Sequence, residues 1–152
     1  MIKHIWTVVC RESKIDEVTN NISILDAYEN LQFSVDTQDE DYKKGLPIGV
    51  PFNFEIVSLF FRDQKGKVDE LEESVLALDP HGKRLGEFES KIQFKKEHDR
   101  IRNLMKLDTI VLTTSGTYLF QIFTKRPDES GKKEQITVIP INITVSVNGE
   151  EL

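Results

Sequence analysis

Cysteine is nearly absent from this chain, and its scarcity limits both how the protein is stabilised and what chemistry it can perform. Cys10 is the only cysteine among 152 residues, so no internal disulfide can form and no cysteine-based metal site can be assembled. Such usage is typical of a reducing compartment, and we therefore expect a cytoplasmic protein. A chain of this length buries enough surface to fold without cross-links.

Long apolar runs and an excess of basic residues are missing as well. No segment approaches the ~20 apolar residues that a membrane-spanning helix needs. The apolar stretch at 1–10 is shorter than a secretory signal requires, and we interpret it as a first strand. The formal net charge is −6, which argues against a dedicated nucleic-acid surface because phosphate binding depends on clustered Lys and Arg. We expect neither integral membrane association nor a nucleic-acid partner.

Apolar and polar residues alternate with a period of two in several parts of the chain. In 139–147 every odd position is β-branched and apolar, which is the pattern of a half-buried strand. The same period recurs in 88–94 and 117–124, whereas 52–61 alternates first and then becomes apolar on both sides, as a central strand does. Shorter candidate strands are 5–10, 22–28, 30–35 and 74–78.

Proline and glycine mark where the strands end or lose a neighbour. Pro140 cannot donate a ladder hydrogen bond, so its strand should lie at a sheet edge or switch sheets there. Turn residues separate the alternating runs at 63–66, 79–82, 114–116 and 128–131. Strands at this spacing, with almost no helical periodicity, indicate a sandwich or a barrel and not a parallel α/β sheet. We favour an all-β, two-sheet sandwich of about seven to nine strands with at most one or two short helical turns. Without a repeat or a linker, residues 1–152 read as one domain.

Two segments leave alternatives open. In 98–106 one set of apolar residues fits a helix face and an overlapping set fits a strand face, so the pattern does not decide between them.

Residues 36–45 are acidic and polar, and we interpret them as an exposed loop with one helical turn. A Ca²⁺-dependent or lipid-surface module of the C2-like kind, with ligands in the loop 36–41, is therefore an alternative function. We favour a solvated acidic loop. The acidic residues concerned are Asp36, Asp39, Glu40 and Asp41.

The segment 105–120 resembles the corner between the E and F strands of immunoglobulin-like domains. Apolar residues stand at 105, 107 and 110, and Gly116 and Tyr118 follow in a Gly-x-Tyr motif. In such a corner the tyrosine hydroxyl bonds back to the upstream backbone. Thr114 stands where the family usually has Asp, and Phe120 stands where it has the disulfide cysteine. The resemblance implies a disulfide-free relative with an aromatic ring in its core.

The chain as a whole resembles a family of small bacterial proteins of unassigned function with an immunoglobulin-like core. That family has an apolar first strand ending in Cys, a Pro-containing loop, an Asp-Pro-x-Gly hairpin and a Gly-x-Tyr strand before the last one. The resemblance implies the fold and no activity, so it assigns no functional residue. The matching positions, in order, are Cys10, 22–28, Pro47, 79–82 and 116–118.

No set of residues forms a recognisable catalytic group. A nucleophile, a base and an orienting residue must converge in space, and nothing in the spacing of the three histidines indicates this. Cys10 follows an apolar strand and reads as a small buried hydrophobe, in preference to a thiol activated by Arg11. We expect no cofactor and no enzyme, and a small enzyme with a dispersed site is the third hypothesis. The histidines are His4, His81 and His98.

The leading hypothesis is a non-catalytic protein-binding or assembly module that presents a sheet edge or a loop end. Sandwich edges recruit partners by strand addition, and either another protein or a second copy of this chain could be the partner. Basic residues around 95–102 alternate with acidic ones, which suits a solvated mixed-charge face. The candidate partner surface comprises Trp6, Pro140, Lys95, Lys96, Arg100 and Arg102.

Overall fold

Strands make up most of the fold in a computed structural model that describes residues 1–44, 46–127 and 131–152. The helix within these ranges is a short 3-10 turn at Glu40–Lys44, in the loop where one helical turn was predicted. No helix of the described ranges is long and apolar enough to cross a bilayer. Most of the predicted turn at 128–131 lies outside the described residues. The strands are β1 (Ile2–Ile15), β2 (Ile22–Ala27), β3 (Asn30–Val35), β4 (Ile48–Arg62), β5 (Asp69–Leu78), β6 (Arg84–Phe94), β7 (Arg100–Leu112), β8 (Gly116–Lys125), β9 (Glu134–Val147) and β10 (Glu150–Glu151).

Two sheets pack together, which confirms the predicted all-β sandwich. One sheet has the order β2-β1-β4-β7 and the other β10-β9-β8-β5-β6, with β3 pairing in parallel to β9. Ten strands in the described ranges exceed the seven to nine expected. The additional one is β10, a two-residue extension that pairs with the end of β9 and is too short to show any alternation.

The ambiguous segment 98–106 contributes to a strand. Residues of β7 pair with β4 along a long antiparallel ladder, from Arg100 opposite Phe61 to Leu112 opposite Ile48. This ladder supplies backbone partners from a distant segment, which a local pattern cannot reveal. It also buries Met105 between the sheets, with 7% of its surface exposed.

Among the described residues, the core contains two apolar clusters between the sheets. The larger one contains Tyr118 and Ile141, both at most 2% exposed, so the predicted inward faces of β8 and β9 are confirmed. The smaller cluster lies towards one end of the sandwich and contains Phe60, Leu71, Ile92 and Phe94. Between residues 54 and 58 the central strand β4 is buried on both of its faces, whereas Leu59 and Phe61, in the half where the apolar run predicted cover on both sides, are half-buried.

A tyrosine closes the turn between β7 and β8. The Tyr118 hydroxyl donates to the carbonyl of Thr114 at 2.6 Å and accepts from the amide of Thr113 at 2.8 Å. The Thr113 hydroxyl in turn donates to the Asp79 carboxylate at 2.8 Å. The upstream backbone bond expected of a tyrosine corner is therefore present, and it ties this corner to the turn at 79–82.

Candidate functional site

An open seam runs between β1 of one sheet and β9 of the other. On β1, residues 2–10 pair with β4, whereas β2 pairs on the opposite side only from Cys10 onwards. On β9, residues 134–143 pair with β8, whereas β3 pairs on the opposite side only from Asn142 onwards. In the described part of the chain, residues 2–8 and 134–141 therefore each have one unpaired backbone edge.

The backbone groups that face this seam follow from the hydrogen bonds at its closed end. The amide of Tyr28 donates to the carbonyl of Val9 at 2.8 Å, so Val9 points towards β2. Because orientation alternates along a strand, the amide and carbonyl of Thr7 point to the same, open side. The amide of Asn142 donates to the carbonyl of Glu29, so Asn142 points away from β8. Pro140 is two residues earlier on the same strand and therefore points to the same side, which is open there. Proline lies at a sheet edge, as predicted, and offers no amide there.

A cleft of about 750 Å³ opens between the two edges. Its rim is basic, although the whole chain carries a net charge of −6, and its walls also include apolar side chains of both sheets. Lys3 and Lys125 have no carboxylate within 4.0 Å among the described residues, whereas Arg126 lies 3.7 Å from Asp69. The basic residues at the cleft are Lys3, Lys125, Arg126 and Lys132, and the acidic one is Glu134.

A row of polar side chains leads from this cleft into the core. His4, on the cleft wall, places Nε2 2.7 Å from the Thr7 hydroxyl, which lies 2.7 Å from the Ser58 hydroxyl. Deeper in the core, Glu73 accepts a 2.7 Å hydrogen bond from the amide of Asn103. Burial lowers the pKa of His4 and raises that of Glu73. Sequence reasoning missed this row, because one polar residue in an apolar strand is no signal by itself.

The contact between His4 and Thr7 has the length of a base–nucleophile pair but lacks access to a substrate. Thr7 and Ser58 are not on the wall of the cleft, and the Thr7 hydroxyl is already engaged by Ser58. Ser58 is fully buried. A reacting carbonyl could not approach either hydroxyl without displacing core side chains. We interpret the row as a structural network.

A second cleft, of about 770 Å³, lies on the outer face of the β2-β1-β4-β7 sheet. The β1–β2 hairpin bends over this face, and its tip is held where Arg102 donates to the carbonyl of Asn20. The strand register places Trp6 beside Leu59 and Leu59 beside Arg102, so these side chains form one row beneath the hairpin. Arg100 lies over the neighbouring ring of Phe61, 5.9 Å from its centre.

The six residues of the predicted partner surface separate into two places. Trp6, Arg100 and Arg102 come together at the outer cleft. Lys95 and Lys96 are exposed in the β6–β7 turn, whose following residues also line that cleft. Pro140 is on the other sheet, at the open edge of β9. The sequence could not show this division, because it depends on how distant strands pair.

Cys10 is fully buried, and its surroundings disfavour the thiolate. Burial, together with the negative charge of Glu55, raises the pKa of the Cys10 thiol. Arg11 does not counter this effect, since its side chain extends to Asp26 at 2.7 Å. The preferred interpretation of Cys10 as a small buried hydrophobe agrees with this placement.

Carboxylates of the acidic loop at 36–41 contact groups of the loop itself and of the 3-10 turn that follows it. Asp39 accepts the amide of Asp41 at 2.9 Å, and Asp41 lies 3.3 Å from Lys44. Within the ranges that the structure covers, no group of three or more His, Cys, Asp or Glu side chains is placed to hold a metal ion.

The two remaining histidines lie in turns. His81 is exposed in the turn at 79–82, and His98 accepts a 3.4 Å hydrogen bond from the backbone amide of Lys95.

Comparison with known proteins adds no assignment. No protein-family model and no curated protein matches this sequence. The resemblance to bacterial immunoglobulin-like proteins therefore stays a prediction, and the case for a function depends on the geometry of the seam and the clefts.

Proposed function

We propose that this chain is a non-catalytic binding module that takes an extended segment of a partner protein into the open seam by strand addition. The observation that carries the proposal is the one-sided pairing of β1: residues 2–8 pair with β4 alone among the described strands. Further along, β2 of the same chain occupies the equivalent side. A guest strand would continue the line of β2 and satisfy backbone groups that now face the seam.

The edge of β1 is better suited than that of β9 to receive the guest. Residues 2–8 contain no proline, and at about 3.3 Å per residue they accommodate a guest of roughly seven residues, about 23 Å long. Pro140 removes an outward amide from β9. The β1 edge is irregular at one place, between His4 and Trp6. Such a bulge discourages indiscriminate edge-to-edge pairing, while the backbone amide and carbonyl of Thr7 still point to the unpaired side of the strand.

Charge indicates an acidic guest. Lys3, Lys125 and Lys132 stand around the cleft, so alternate guest side chains that carry carboxylates would meet opposite charge. The other guest side chains would meet half-buried apolar residues of the cleft, among them Ile2 and Ile136. Electrostatic complementarity of this kind speeds encounter and selects among partners.

Membership of the immunoglobulin-like family and a cytoplasmic location belong to the same proposal. The Tyr118 corner supports the relationship to the small bacterial proteins that the sequence resembles. The single, buried cysteine supports a reducing compartment.

The test is a selection of displayed random 12-residue peptides on the immobilised protein, followed by affinity measurements with each selected peptide. Thr7→Pro removes the seam-facing amide, and Thr7→Ala is its matched control, because both lose the hydroxyl contact with Ser58. Val138→Pro and Val138→Ala form the same pair on β9. We expect peptides rich in Asp and Glu that bind Thr7→Pro at least tenfold more weakly than Thr7→Ala.

Other outcomes would contradict the proposal. Selected peptides that bind both Thr7 variants equally would show that the β1 edge is not the receptor. If the selected peptides bound Val138→Pro more weakly than Val138→Ala and both Thr7 variants equally, the receptor edge would be β9 and not β1. Concentration-dependent self-association that Thr7→Pro abolishes would identify the partner as a second copy of this chain, and basic consensus peptides would refute the charge argument.

A further inference from the structure

The outer cleft combines two arginines that have no carboxylate partner with a group of apolar side chains in an otherwise polar wall. Arg100 and Arg102 alternate on β7 and both line the cleft. No carboxylate lies within 4.0 Å of either guanidinium in the ranges that the structure describes. The acidic residues nearest to them in the cleft wall have other neighbours: Asp99 lies 3.8 Å from Lys65, and Glu97 lies 4.0 Å from His98.

Arg102 has a hydrogen-bonding capacity that the described residues do not use. Its Nη2 donates to the carbonyl of Asn20 at the hairpin tip, while its Nη1 is shielded from solvent and has no partner. A guanidinium presents its donors as a planar fork that matches the two oxygens of a carboxylate or phosphate. A buried donor without an acceptor is unfavourable, so an oxyanion that reached Nη1 would supply a missing bond.

Part of the cleft wall is suited to an apolar, flat group, although polar residues of the hairpin tip and of the β6–β7 turn also line the cleft. Trp6 and Leu59 lie next to each other in the strand register, and Ile15 and Ile22 of the hairpin line the same cleft. Ile15 is 54% exposed, so its side chain leaves apolar surface open beside the cleft. Aromatic rings stack well on tryptophan at this kind of surface.

We propose that the outer cleft binds a small ligand in which a carboxylate or phosphate is attached to a flat apolar ring. The oxyanion bonds to Arg102 and Arg100, and the ring packs on Trp6 and Leu59. Because Nη1 of Arg102 is shielded, the hairpin tip around Asn20 moves outwards as the ligand enters. This site is distinct from the seam: Trp6 lines the cleft on the outer face of the sheet, whereas the seam is the unpaired backbone edge of residues 2–8.

Trp6 allows a direct test, because it is the only tryptophan in the chain. Its fluorescence is titrated with phenyl phosphate, benzoate and inorganic phosphate, each against sodium chloride at equal ionic strength. We expect saturable changes with at least one of the two aryl anions and weaker binding of inorganic phosphate, which lacks the ring. Preference between phenyl phosphate and benzoate identifies which oxyanion the site takes.

The variants Arg100→Gln and Arg102→Gln remove the proposed anion contacts, and Lys106→Gln is the matched control on the same strand outside this cleft. We expect each arginine variant to bind at least tenfold more weakly and the control to bind unchanged. Unaltered urea midpoints and Trp6 emission maxima in the free variants establish that they are folded. The proposal is overturned if neither aryl anion gives saturation below about 10 mM, or if the arginine variants bind as tightly as the control.

Discussion

The buried carboxyl of Glu73 is expected to make the stability of this protein fall as pH rises. Glu73 is fully buried, and its Oε1 accepts from Asn103 while its Oε2 has no partner among the described residues. No Lys, Arg or His lies within 4.0 Å of it in the same ranges. Desolvation raises the pKa of Glu73, and nearby Ser58 and Asn103 offset this effect only in part.

The sign and size follow from proton linkage. Between the ordinary glutamate pKa of 4.5 and the raised pKa of Glu73, the folded protein holds one proton more than the unfolded chain. Across that interval the free energy of unfolding falls by about 1.4 kcal/mol for each pH unit. Its contribution is fully present below the unfolded-state pKa and is lost as pH rises through the folded-state pKa. Glu73→Gln keeps an acceptor for Asn103 but cannot ionise, so it lacks this dependence.

The assay is urea unfolding of the wild type, Glu73→Gln and the exposed control Glu70→Gln from pH 4 to pH 9. We expect the stability of Glu73→Gln relative to wild type to increase with pH across the interval, while Glu70→Gln runs parallel to wild type. His4 has its pKa lowered by burial, but it titrates in all three proteins and largely cancels from the differences. Parallel curves for Glu73→Gln and wild type would refute the reasoning.

Two further predictions concern buried polar side chains that form hydrogen bonds with the backbone of turns. Arg62 is 3% exposed and donates to three backbone carbonyls at 2.5–2.8 Å. Because lysine cannot bridge all three carbonyls, Arg62→Lys should lower the free energy of unfolding in urea by about 3 kcal/mol. An unchanged urea midpoint would contradict this role. Tyr118→Phe leaves the Thr113 amide without its acceptor and should cost about 1–3 kcal/mol in thermal unfolding, whereas a neutral substitution would mean that the corner does not stabilise the fold.

Much of the fold was predictable where one strand face is buried. In β9 the odd positions are apolar, and Ile141, Ile143, Val145 and Val147 are all at most 2% exposed. Pro140 likewise indicated an edge, because the missing amide is a property of the residue itself. The segment 98–106 stayed undecided because its apolar residues fit both periods, and only pairing with β4 removed the ambiguity.

The buried polar residues were not predictable. Glu73 stands in a glutamate-rich stretch with Glu70 and Glu72, and nothing local marks it as the one that lies in the core. Arg62 reads as the polar end of an apolar strand, although its side chain contacts carbonyls of two separate turns. Trp6 and Arg102 are distant in sequence, and their meeting depends on β4 lying between their strands.

The amino-acid sequence by itself determined that this chain forms half-buried strands, because alternation of side chains is a local property of each segment. The tertiary structure alone decided which edges stay open and which side chains share a cleft. Both depend on long-range register, and β2 and β3 pair with only part of β1 and β9. The seam and the outer cleft, on which the proposed functions depend, are consequences of that incomplete pairing and of the hairpin that bends back over the sheet.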